Sequence, residues 1–139
     1  MAITSALCTS FKLELLNKEH DLDTDTIKIA LYTSSATLGA TSTAYATTNE
    51  ISGTGYTAGG ATLASAAITT SGTTAYVDFA DPSWTTATFT VNGALIYNSS
   101  ASNKAIAVIA FGADQTVSSG TFTVTMPAAD ASNAIVRLA

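Results

Sequence analysis

From Thr26 onward the chain follows a two-residue rhythm. Thr26–Thr33 reads TIKIALYT, which sets Ile27, Ile29 and Leu31 on one side and Lys28, Ala30 and Tyr32 on the other. Residues 85–91 read TTATFTV, threonine alternating with an apolar residue. Successive side chains of an extended strand point to opposite faces, so this spacing predicts strands. Further segments of the same kind are Ala61–Thr70, Thr73–Ala80, Trp84–Asn92, Ala94–Asn98, Lys104–Phe111, Thr121–Met126 and Ala134–Leu138. Ser71–Gly72, Asp81–Pro82, Gly93, Ser118–Gly120 and Pro127 punctuate them, and Ser71–Gly72 reads as the turn of a hairpin. KAIAVIAF (104–111) is almost wholly apolar and reads as a central strand. About seven or eight strands at roughly ten-residue spacing mark a sandwich or barrel. The expectation is an all-β fold: an antiparallel β-sandwich, jelly-roll or immunoglobulin-like, with one N-terminal helix.

That helix is expected over about residues 4–19. Leu7, Phe11 and Leu15 recur every four residues with Cys8 and Leu16 beside them, drawing one apolar stripe. Thr4 or Ser5 can cap its start by accepting a hydrogen bond from a free amide. Residues 34–60 contain Gly39, Gly53, Gly55, Gly59 and Gly60 among Ser, Thr and Asn. Glycine at this density marks turns or close backbone approach, so this region reads as long loops with at most one short strand. Loops of that length inside one domain are usually functional. The 139 residues fit a single domain, 1–139.

Composition narrows the function. Charged residues are only 11% of the chain, against about 25% in average domains, and Thr, Ser and Ala fill nearly half of it. The formal net charge is −5, and the cations are Lys12, Lys18, Lys28, Lys104 and Arg137. Five scattered cations make no phosphate-binding patch, so neither nucleic acid nor an anionic membrane is an expected partner. No apolar run reaches the roughly 20 residues that span a bilayer. The opening stretch has neither the basic start nor the unbroken apolar core of an export signal, so synthesis in a cytoplasm is expected. Cys8 is the sole cysteine and reads as a small buried hydrophobe.

Chemistry-bearing motifs are sparse. Asp21-Leu22-Asp23-Thr24-Asp25 has the alternating carboxylates that open an EF-hand calcium loop. The spacing then puts Thr26 where the loop needs glycine and Tyr32 where it needs glutamate, so the run reads as a solvated turn. His20 is the only histidine, and a zinc site would lack a second imidazole. Gly53–Gly60 is glycine-rich but has neither the spacing nor the lysine of a phosphate loop. Asp78 and Asp81 flank Phe79 as a possible carboxylate pair, yet Asp81 before Pro82 reads as a turn residue. No catalytic residue, metal or cofactor is therefore expected. What remains is surface: Tyr45, Glu50 and Tyr56 inside the glycine-rich segment, with Trp84, are the candidate partner-facing residues, because tyrosine and tryptophan bury much area at little entropic cost.

Read together, SFKLELL, IKIALYTSSATLG, AYATTNEISGTGYTAGGATL, VDFADPSWTTATFT, GALIYN and TFTVTMP…AIVRLA resemble a family of small structural proteins of tailed bacteriophages. The similarity runs over essentially the whole length, and NEISGTGYTAGG and FADPSW are its most specific parts. The resemblance implies a non-enzymatic virion component, a capsid cement (decoration) protein on the outside of the head. Its implied partners are the major capsid protein and further copies of itself. Other virion positions (tail, neck or head fibre) and a carbohydrate-binding β-sandwich using Trp84 are the competing expectations.

Overall fold

The alternation becomes two antiparallel sheets, described for residues 2–139 by a computed structural model. In chain order the elements are β1 (Ala6–Leu7), α1 (Thr9–Leu16), β2 (Ile27–Tyr32), β3 (Ala61–Thr62), β4 (Ala67–Ser71), β5 (Thr74–Asp78), β6 (Ser83–Asn98), β7 (Lys104–Thr123) and β8 (Val136–Leu138). Five strands form one sheet in the order β1-β7-β6-β2-β3, and three form the other in the order β4-β5-β8. Every pairing between them is antiparallel. The fold is an all-β sandwich with one short helix. No helix among the described residues is long and apolar enough to cross a membrane.

The centre of the larger sheet is buried on both sides. Ile27, Ile29 and Leu31 of β2 alternate with buried Ala30 and Tyr32, and residues 93–98 of β6 are buried without a break. The register sets Lys28 beside Tyr97 and Ile27 beside Asn98, which sorts the side chains onto two faces. Tyr32 and Tyr97 share the face that the glycine-rich segment covers, since Tyr45 stacks on Tyr97 with ring centroids 4.6 Å apart. Asn98 lies on the opposite face, where His20 reaches it and packs against the buried ring of Phe11. One hydrophobic cluster joins these residues to Val77 and Val136 of the smaller sheet.

Several sequence expectations are corrected. The helix is shorter than 4–19, because its expected first turn is extended: Ala6 and Leu7 pair with Val108 and Ala107 of β7. Thr4 donates its backbone N–H to Leu38 O, and the Ser5 hydroxyl accepts from Ala110 N–H, so neither caps α1. Cys8 stands at the N-cap without a side-chain cap. Of the apolar stripe, Phe11 is buried, Leu15 is half-buried and Leu16 is 87% exposed.

Ala61–Thr70 is two strands in different sheets. Its first two residues pair with β2, the chain crosses over through Ser65 (φ 58°), and Ala67–Ser71 pairs with β5. The hairpin itself stands, closed by Gly72-Thr73 between the paired Ser71 and Thr74. Gly93 and Ser118–Gly120 do not break strands. They lie inside β6 and β7, whose register shifts between Trp84 and Phe89 and between Val91 and Gly93. A bulge inserts residues into one strand and bends it without ending the pairing, so punctuation that signals a turn also serves a bulge. Gly93 has a further use: a Cβ there would lie 2.6 Å from Ile3 Cγ2.

Candidate functional site

The segment 34–60 has almost no regular structure of its own and is held by side chains. Glu50 is its hub. Tyr45 donates its hydroxyl to Glu50 Oε1 at 2.7 Å, and Tyr56 donates to Oε2 at 2.5 Å. Gly59 N–H donates to the same Oε2 at 2.8 Å. Tyr97 of β6 closes the knot from below by donating to the Gly59 carbonyl at 2.6 Å. Tyr56 also accepts from Leu31 N–H of β2 at 3.0 Å, while Tyr32 donates to Ala46 O at 2.7 Å. A carboxylate taken out of water needs such donors, and charge-assisted hydrogen bonds are the strong ones.

Glycine lets this segment lie directly on the sheet. A Cβ on Gly60 (φ 81°) would stand 1.8 Å from Ile29 O, inside any permitted contact. Burial, then the Glu50 carboxylate, raises the Tyr45 and Tyr56 hydroxyls above the ordinary tyrosine range. Burial likewise raises Tyr32 and Tyr97.

The four candidate partner-facing residues thus come together, with their working atoms turned inward. Tyr56 lies 6.2 Å from Trp84, ring centre to ring centre, and 6.1 Å from Phe89. Trp84 is only 6% exposed and packs on Phe122. Tyr45 and Tyr56 are half-buried rather than displayed. The expectation that these residues face a partner is corrected: their hydroxyls, carboxylate and indole are used to anchor the loop. A sugar has no tryptophan platform to stack on at Trp84.

The acidic run folds as a turn. Asp25 N–H donates to Asp21 O at 2.8 Å, and Asp25 Oδ2 accepts from Asp21 N–H at 2.9 Å. Hydrogen bonds from Asp23 and Thr24 lower the Asp21 carboxyl, and the partnership raises Asp23. No group of three His, Cys, Asp or Glu side chains suited to a metal occurs among the described residues. Asp81 accepts from Met126 N–H at 2.7 Å, tying the FADPSW turn to the chain leaving β7.

Sequence reasoning missed a second polar knot. His20 pairs through Nε2 with Glu14 Oε1 at 3.0 Å and through Nδ1 with Asn98 Nδ2 at 3.0 Å. Asn98, fully buried, donates also to Asp25 Oδ2 at 2.7 Å. Both imidazole nitrogens are engaged within the fold, so the ring has no free lone pair or N–H to offer a substrate. Nothing local in the sequence pairs His20 with a residue 78 positions away. Nearby, a groove of about 410 Å³ opens between the helix end and the smaller sheet, lined by Leu15, Leu22, Ile68, Val77 and Leu138.

Compared with protein-family models, curated proteins and solved structures, the chain matches none. The geometry therefore speaks alone here. Its polar clusters are closed on themselves, and the exposed surface combines hydroxyls and scattered charges with a few aliphatic side chains, Leu13, Leu16, Ile68 and Leu138. Such a surface can adhere.

Proposed function

We propose that this chain is a non-enzymatic structural protein of a tailed-phage virion, a capsid cement protein that binds the outer surface of the head and bridges neighbouring major capsid subunits. The reading rests on the resemblance drawn from the sequence, and the structural observation that supports it is the exposed aliphatic pair Leu13 and Leu16 on α1. NEISGTGYTAGG is the Glu50-anchored segment, and FADPSW is the turn tied down by Asp81. The acidic, hydroxyl-rich composition suits a coat that stays soluble and touches no DNA. Leu13 and Leu16, exposed on α1, supply an apolar contact for a capsid subunit. Each contact can be weak, because repetition over a shell multiplies its effect.

Reconstitution tests this. Particles stripped of the protein are mixed with the purified chain, and release of packaged DNA is followed on heating. Recapture with a higher release temperature is expected, and the L13Q/L16Q variant should be recaptured at least tenfold more weakly. Stripped particles that neither bind the chain nor gain heat resistance would refute the proposal.

A further inference from the structure

We propose that the outer edge of β4 is a self-association site, where two copies of this chain pair edge to edge across a two-fold axis. β4 ends the smaller sheet, and all five of its residues, Ala67–Ser71, are exposed. Among the described residues, no other strand or backbone hydrogen bond reaches its outer side. An open edge is a row of unpaired amides and carbonyls that invites another strand, and proteins usually guard it with charge, proline or a bulge. β4 has none of these: its sequence is AITTS, and its pairing with β5 runs without a register shift. The other free edges differ. β1 and β3 are two residues long, and β8 has three, among them Arg137.

The charge distribution selects a second copy as the occupant. A two-fold contact places the residue at the axis beside its own twin, so any charge there repels itself. The chain carries −5 overall, yet residues 51–77 contain no Asp, Glu, Lys or Arg. β4 lies in the middle of that neutral stretch. Antiparallel pairing centred on Thr69 sets Ile68 of each copy beside Thr70 of the other, covering an aliphatic side chain now 53% exposed. Two three-stranded sheets then become one of six, within the commonest range of about four to six strands.

Sedimentation velocity on the whole chain over micromolar to millimolar concentration, with amide exchange on the same samples, tests the pairing. The expected result is a species of twice 14.1 kDa in which amides of residues 67–71 exchange more slowly as concentration rises. Thr69→Lys places two ammonium groups at the axis and should raise the dissociation constant at least tenfold. A chain that stays single at millimolar concentration overturns the proposal. So does a dimer whose 67–71 amides exchange as fast as in the single chain, as with docking through another surface. If Thr69→Lys fails to fold, the exchange result on the unaltered chain decides.

Discussion

Glu50 holds together residues that would otherwise be a long glycine-rich loop lying loosely on a sheet. Its two oxygens take three donors, from Tyr45, Tyr56 and Gly59. Removing the carboxylate leaves these donors half-buried without a partner, so Glu50→Ala should cost about 3 kcal/mol, read as a lower urea midpoint. A loss below about 0.5 kcal/mol would mean that the knot is ornamental. The four raised tyrosines make a second prediction. Up to about pH 9 both folded and unfolded chains keep these protons, and stability is unaffected. Above it the unfolded chain releases protons that the folded chain retains, so stability falls, by up to about 1.4 kcal/mol per pH unit for each tyrosine still protonated in the folded chain. The urea midpoint should be flat from pH 7 to 9 and drop steeply between 10 and 12; a flat profile to pH 12 contradicts the burial assigned to them. The sequence made Tyr45, Glu50 and Tyr56 legible as a cluster but not the direction they face. That direction depends on Tyr97 and Leu31, which no local pattern ties to the loop.

At the scale of elements, the two-residue period located β2 and β5 within a residue or two, because side-chain alternation is a property of the strand itself, while β4 begins six residues later than the strand expected there. What it could not reveal was partnership. Gly93 and Gly120 look like stops until β6 and β7 are paired, when the same residues become places where long strands bend. Leu7 fits a helical stripe equally well, and the sheet edge beside Ala107 claims it instead. Tertiary pairing wins because a strand added to an existing sheet satisfies its backbone at once, whereas a first helical turn fixes several residues for one bond. Cys8, at the junction between β1 and α1, reports on this arrangement. It is fully buried, and burial followed by the Glu14 charge pushes its thiol up to about 11. Iodoacetamide at pH 8 should leave it unmodified in the folded chain and modify it readily in urea. Rapid modification without denaturant would place the β1–α1 junction at the surface.

Across the whole molecule, the Glu50 and His20 knots spend their polar side chains on holding the fold, and no buried side-chain polar atom among the described residues lacks a partner. The exterior is left with hydroxyls, a modest negative charge and a few aliphatic contacts, which suits attachment to a repetitive surface. Composition made the shortage of charge plain from the start. It could not say where the remaining adhesive groups lie, since exposure of Leu16 and Ile68 follows from how the two sheets and the helix are stacked. The proposed cement role is tested most directly by electron cryo-imaging of tailed-phage particles before and after a treatment that would strip this protein from them. The expected result is density of the sandwich's size repeated over the icosahedral shell and lost on stripping. Density confined to the tail vertex, or particles that contain no copy of the chain, would contradict it.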